Sequence, residues 1–282
     1  PRPRGTPPPM IPMKLSPAQQ RFRTRFGPAA VITGASSGIG LDFARTLARA
    51  GFDLVLIASR PEPLNAAARE VAALGVDVRT LAIDLRQPGS TDRLIAATAD
   101  LEVGLLVCSA GVGTSGPLID NPVAAELAML DLNCRSVLET TWHFARRFAA
   151  QRRGGIVLLS SLVAFQGVPR AANYSATKAY IQSLAEGLRV ELAPAGVSVI
   201  ACAPGPISTA FADRAGMTMG KAQSPAGIAR ATLAALGKRS TTRPGALTKL
   251  LSWSLATLPR WARVLVMTQV MKGMTPSLPG RT

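Results

Sequence analysis

The stretch that decides the fold is Ala29-Ala30-Val31-Ile32-Thr33-Gly34-Ala35-Ser36-Ser37-Gly38-Ile39-Gly40. An apolar run of five residues passes into three glycines at fixed spacing and then into a helical pattern over 38–50. Physically this reads as a strand that ends in a tight turn, for which Gly34 supplies the conformational freedom. Gly38 and Gly40 let the backbone approach a dinucleotide pyrophosphate, held against the positive end of the following helix. Ser36, Ser37 and Ile39 belong to the same cradle. In a chain with 25 glycines among 282 residues such a motif carries little weight alone, and its position between strand and helix is what makes it informative.

Outward from this stretch, strand and helix alternate. Short apolar runs at 54–58, 78–83, 105–108, 156–159 and 197–202 are separated by helical patterns over 63–74, 90–98, 124–152 and 174–193. Continuous apolar strands between helices predict a parallel sheet covered on both faces. Right-handed crossovers make it one doubly wound, Rossmann-type α/β domain, with ligands at the carboxyl ends of the strands. A hydrophobic content of 48% over this length suits one such core.

The net charge of +16 sits at the two ends. Residues 1–28 carry six basic side chains and no acid, 29–213 are close to neutral at −1, and 214–282 carry eleven basic side chains and no acid. A nucleic-acid partner is not expected, because no reading motif accompanies the charge. Cys108, Cys134 and Cys202 sit in apolar segments with neither disulfide nor metal-ligand spacing, which favours a reducing, cytoplasmic location. His143, the only histidine, has no further ligands nearby, so no metal is expected and it reads as a packing or subunit-contact residue.

The chemistry lies in Tyr174-Ser175-Ala176-Thr177-Lys178. Tyr174 and Lys178, at i and i+4, share one helix face, and the nearby ammonium is expected to favour phenolate and lower the tyrosine's pKa below its usual value of about 10. Ser161 stands thirteen residues upstream. After the second strand, Ile57-Ala58-Ser59-Arg60 offers no carboxylate for a ribose 2′-hydroxyl, whereas Arg60 beside Ser59 can fork onto a 2′-phosphate. NADP(H) is therefore the expected cofactor.

With the glycine turn, these segments resemble the short-chain dehydrogenase/reductase family over roughly residues 28–236. The resemblance implies Tyr174 as general acid/base, Ser161 orienting the substrate oxygen, Lys178 holding the nicotinamide ribose as well, and Asn133 anchoring a proton-relay water. It also implies Asp84 and Leu85 as the adenine-contacting pair and Pro204-Gly205-Pro206-Ile207-Ser208-Thr209 as the loop at the nicotinamide end, with Thr209 in contact. Ser109, Ala110 and Gly111 stand where the family has Asn-Asn-Ala-Gly, in the form Cys108-Ser109-Ala110-Gly111, a departure that bears on the local sheet network. The implied activity interconverts a bulky or apolar ketone or aldehyde and an alcohol. A non-catalytic, NADP(H)-sensing scaffold regulating a partner is the alternative. The helices over 124–152 and 174–193 imply a homodimer or homotetramer.

The ends are argued separately. Residues 1–15 are expected to be a disordered, proline-rich basic tail. Ser16-Pro17 opens a short basic helix over 16–27, with serine as cap and proline at the first helical position. The catalytic domain then spans 28–246. Residues 211–220, with Phe211, Met217 and Met219, read as either an apolar lid or ordinary packing. The extension, 247–282, holds two helical segments split by Pro259, with Trp253 and Trp261 among basic residues. It is too interrupted by charge to span a membrane, and two readings stay open: a cap on the pocket or subunit contact, and an amphipathic surface in peripheral contact with membrane through 247–271.

Overall fold

The computed structural model describes residues 15–208, 211, 215–216 and 223–274. Its frame is a seven-stranded sheet made of β1 (Ala29–Thr33), β2 (Asp53–Ala58), β3 (Val78–Ala82), β4 (Val103–Cys108), β5 (Gly154–Leu159), β6 (Val197–Cys202) and β7 (Thr241–Thr242). The order is β3-β2-β1-β4-β5-β6-β7 and every adjacent pair is parallel. The winding reverses between β1 and β4, which opens a crevice beyond their carboxyl ends.

Among the described residues the helices are α1 (Pro17–Phe26), α2 (Gly38–Ala48), α3 (Pro61–Ala72), α4 (Ser90–Ala96), α5 (Val123–Leu130), α6 (Ser136–Gln151), α7 (Ala172–Leu192), α8 (Ile228–Ala235), α9 (Ala246–Ala256) and α10 (Arg260–Met274). Alternate residues of each strand feed two cores. Ala30 and Ile32 meet Phe43 and Leu47 of α2, Leu64 of α3 and Ile228 of α8. Ala29 and Val31 meet Leu94 of α4, Phe144 and Phe148 of α6, and Ile181 of α7. Each fully buried Leu, Ile or Phe contributes about 1.5–3 kcal/mol. Because β1, β4, β5 and β6 are buried along their whole length, they read as unbroken apolar runs rather than alternating ones.

The start of α1 follows the sequence. Ser16 and Gln19 cap each other reciprocally and Pro17 takes the first turn, while Phe26 is buried and Phe22 packs at 5.7 Å from Phe52.

One expectation changes, and one strand has no counterpart in the sequence reading. The single helix over 124–152 is divided by a π-helical turn, Asp131–Arg135, between α5 and α6. The edge strand β7 has two half-buried threonines and no period to read. The extension forms two helices, α9 and α10, on either side of Pro259. No helix among the described residues is long and apolar enough to cross a membrane. The tail 1–14, Thr209, Met217 and Met219 lie outside the described residues.

Candidate active site

A cavity of about 650 Å³ runs along the crevice at the carboxyl ends of the strands. Gly34, Ser36, Ser37, Gly38, Ile39 and Gly40 line one end. Gly34 has φ +69°, and a Cβ there would come 2.7 Å from the Ala110 nitrogen, so the turn after β1 lies directly on the loop after β4. Gly40 also answers a packing demand. Its Cβ would lie 2.2 Å from the Gly34 carbonyl oxygen, so what requires glycine there is the seating of α2 on its own turn.

Ser59 and Arg60, both exposed, line the cavity at the end of β2. Among the described residues the Arg60 side chain shows no ion pair or hydrogen bond. Asp84 and Leu85 line it after β3. Arg86, which the sequence reading passed over, lines it too and grips the Asp84 carboxylate through Nε at 2.9 Å and Nη2 at 2.6 Å. This hydrogen-bonded guanidinium holds the Asp84 carboxyl below the usual carboxylate range. The Arg86 carbonyl in turn accepts from Arg135 Nη2 at 2.7 Å.

Ser109, Ala110 and Gly111 form the wall beyond β4. The amides of Ser109 and Ala110 both donate to Thr33 Oγ1 at 3.1 Å, so the last side chain of β1 ties down the loop that departs from the family pattern. Pro204, Gly205 and Ile207 line the cavity as well. The Gly205 amide donates to Thr248 Oγ1 at 3.1 Å, fastening that loop to α9. A glycine cradle at the start of a helix with an unpaired guanidinium across from it fits a phosphorylated dinucleotide.

At the other end, α7 presents Tyr174 and Lys178 one turn apart. Lys178 is 7% exposed, donates from Nζ to the Leu159 carbonyl at 2.8 Å and stands 5.8 Å from the centre of the Tyr174 ring. Ser161, at the start of a 3-10 turn (Leu162–Phe165), lines the cavity beside Tyr174 and accepts from the Val163 amide at 3.4 Å. Tyr174 departs from its expected acidity. Burial pushes its hydroxyl up to about 12, more than the neighbouring Ser161 side chain can reverse, while burial pushes Lys178 down to about 8.

Asn133 is buried behind this wall in the π-helical turn. Its Oδ1 accepts from the Val112 amide at 3.0 Å, and its Nδ2 donates to the Val112 carbonyl at 2.8 Å and to Thr177 Oγ1 at 3.1 Å. Thr177 Oγ1 donates to the Tyr174 carbonyl at 2.8 Å. Its side chain thus straps the cavity loop to the helix that carries the tyrosine.

Beyond Tyr174 the cavity is apolar. The Phe211 ring packs at 5.4 Å from the Tyr174 ring. Leu255 of α9 and Met267 and Met271 of α10 are buried against the same cluster and line the space. The extension therefore closes the end of the cavity next to the reacting groups. Sequence reasoning missed Thr33, Arg86, Thr177 and these capping side chains; Arg86 alone left a trace, as a charge two residues from Asp84.

Residues 28–219 match the family model described as short chain dehydrogenase. The chain belongs to the short-chain dehydrogenase/reductase family. Within that family it is 32% identical over 179 residues to a 7β-hydroxysteroid dehydrogenase of Collinsella aerofaciens, covering 63% of this chain and 68% of the relative. It is 36% identical over 179 residues to a very-long-chain 3-oxoacyl-CoA reductase of Podospora anserina, of which it spans 53%. A solved 7β-hydroxysteroid dehydrogenase superposes with TM-score 0.80 at 27% identity, covering 87% of this chain and 98% of the other. A short-chain dehydrogenase from Sphingobium yanoikuyae in complex with NADPH superposes with TM-score 0.75 at 28% identity, covering 91% and 99%. A doubly wound oxidoreductase fold of the NAD(P)-dependent kind is thus shown.

Proposed function

We propose that this chain is an NADP(H)-dependent oxidoreductase that interconverts a bulky, apolar ketone or aldehyde and its alcohol. The observation that carries the reading is Tyr174, with Ser161 in the same cavity wall, at the junction of the glycine cradle and the apolar wall of Phe211, Leu255, Met267 and Met271. A bound nicotinamide supplies or receives the hydride at the carbonyl carbon. Tyr174 gives the proton to the carbonyl oxygen in reduction and takes it back in oxidation. With its pKa near 12 the phenol stays protonated at neutral pH, a state suited to donation. Ser161 holds the same oxygen by hydrogen bond, and Lys178, fixed by the Leu159 carbonyl, places its ammonium beside the reacting groups. Arg60 and Ser59 would hold the 2′-phosphate, and Asn133 keeps the Val112 loop and α7 in register.

The size and apolarity of the wall agree with the names of the relatives, which cover hydroxysteroids and 3-oxoacyl-CoA, and with a structural neighbour described as specific for bulky-bulky ketones. Incubating the protein with NADPH and a panel of steroid, acyl and aryl ketones should show cofactor consumption with at least one bulky substrate. Loss of NADPH absorbance with none of them, against demonstrable NADPH binding, would instead select the cofactor-sensing scaffold. We further propose a two-fold symmetric homodimer, or a tetramer of such pairs, through α5, α6 and α7, which expose Leu127, Leu138, Trp142 and Tyr180.

A further inference from the structure

Helices α9 and α10 have an outer face as distinctive as the inner one. On α10, Met267 and Met271 turn inward, while Trp261, Leu265, Val266 and Val270 are exposed at 69%, 62%, 41% and 44%. Trp261 with Leu265 and Val266 with Val270 are two i,i+4 pairs, which together make a broad apolar stripe over about half of the helix surface. Leu250 and Trp253 of α9 are exposed as well, at 59% and 69%. Single exposed apolar residues need no explanation, but six large ones on two consecutive helices mark a binding surface. Val266 and Val270 line the substrate end of the cavity as well, so the mouth of the site opens at the edge of the stripe.

The charge around the stripe is of one sign. No acid occurs after residue 213. A second cleft, of about 660 Å³, lies on the other side of α9 and is lined by Lys238, Arg239, Arg243 and Lys249 beside Trp253. None of these four side chains is in a salt bridge among the described residues, and the Arg243 Nε is buried with no hydrogen-bond partner. A second copy of the chain would bring this acid-free face against itself. A nucleic acid would satisfy the cleft and leave the apolar stripe bare.

We propose that the α9–α10 face docks on an anionic lipid bilayer, with the stripe in the interfacial layer, the basic cleft on headgroup phosphates and the cavity mouth against the membrane. Tryptophans beside basic side chains suit this boundary, where one end of each group is apolar and the other wet. Delivery of an apolar ketone from the bilayer into the mouth rests on the oxidoreductase reading above; the docking itself does not.

The test uses the full chain and vesicles of phosphatidylcholine, with and without phosphatidylglycerol. The protein is expected to sediment with the mixed vesicles only, to be released by added salt and to show blue-shifted tryptophan emission on binding. Trp261→Glu with Leu265→Glu should weaken binding more than about tenfold while turnover of a water-soluble ketone is unchanged. Lys249→Gln and Lys272→Gln should each weaken it about fivefold at low ionic strength. No sedimentation with anionic vesicles at low salt overturns the proposal, as does undiminished binding by the double glutamate variant or a duplex DNA that binds more tightly than the vesicles. For delivery, a lipid-dissolved ketone should be reduced faster in anionic than in neutral vesicles, and equal rates would overturn that part. A protein that binds vesicles but reduces nothing would refute the proposed activity and leave the docking face standing.

Discussion

In the proposed reaction Tyr174, Lys178 and Ser161 would act as one unit, and their environment sets what each could contribute. Tyr174→Phe removes the exchangeable proton and leaves the cavity shape intact. Turnover should fall on the order of 10²–10⁴-fold with cofactor affinity nearly unchanged, and a variant that keeps most of its turnover would end this mechanism. The pH dependence follows from Lys178, not from the tyrosine. As pH rises through about 8 the buried ammonium of Lys178 loses its proton, while Tyr174, near 12, keeps its own. The rate of carbonyl reduction should therefore fall above about pH 8; a profile flat to pH 10 would show that the Lys178 charge is not needed. At the opposite end, Arg60→Ala should weaken NADPH binding by about 1.5–3 kcal/mol and leave NADH nearly unchanged. Fluorescence titration with both cofactors decides it, since equal weakening would mean that Arg60 does not read the 2′-phosphate.

At the level of elements, the site depends on how closely helices sit on turns. The Gly34 carbonyl occupies the space where a Cβ of residue 40 would be, so α2 can start where it does only with glycine there. Gly40→Ala should cost about 1–3 kcal/mol of stability by overpacking and weaken cofactor binding through the displaced turn. Gly187→Ala is the contrasting substitution. It lies on an exposed part of α7, where an added Cβ would meet only the Glu191 side chain at an ordinary 3.8 Å, so it should be neutral or stabilise by up to about 1 kcal/mol. Thermal unfolding of the two variants separates a glycine required by packing from one that is merely present. The π-helical turn between α5 and α6 belongs to the same class of device: it carries Asn133 inward to Val112 and Thr177, and such turns recur at functional sites.

At the scale of the whole molecule, apolar surfaces among the described residues remain for other bodies. One is the face of α5, α6 and α7, where Leu138 and Trp142 are neighbours on α6 at 44% and 58% exposure and Arg146 stacks on the Trp142 ring at 4.6 Å. Light scattering at micromolar concentration should give a dimer or tetramer mass, and Leu138→Glu with Trp142→Glu should give a monomer that still binds NADPH. A monomeric wild-type protein would remove that interface. His143, between these residues, packs edge-on against Phe144 at 5.4 Å; burial and the neighbouring arginines Arg147 and Arg146 hold its pKa below the usual histidine value, so a partner docked on this face would meet a neutral ring.

By itself the sequence determined the sheet, the glycine turn and the Tyr174–Lys178 face, because each is a local pattern: strands buried on both faces must be apolar throughout, and a helix brings i and i+4 together whatever surrounds it. Tertiary structure alone decided the rest. The π-helical turn has no sequence period, and Asn133 reaches Val112 across 21 positions. The Thr33 hydroxyl answers two amides from the loop after β4, 76 and 77 residues away. The acidity of Tyr174 could not be read from its neighbour in the helix, since Lys178 is visible in the sequence but burial is not, and burial is the larger effect. Likewise, whether 247–274 would lie apart or close the cavity depended on Leu255, Met267 and Met271 finding a cluster built from Val168, Ala171 and Ala215 far earlier in the chain. An amphipathic helix shows that it has an apolar side; only the folded chain supplies what that side covers.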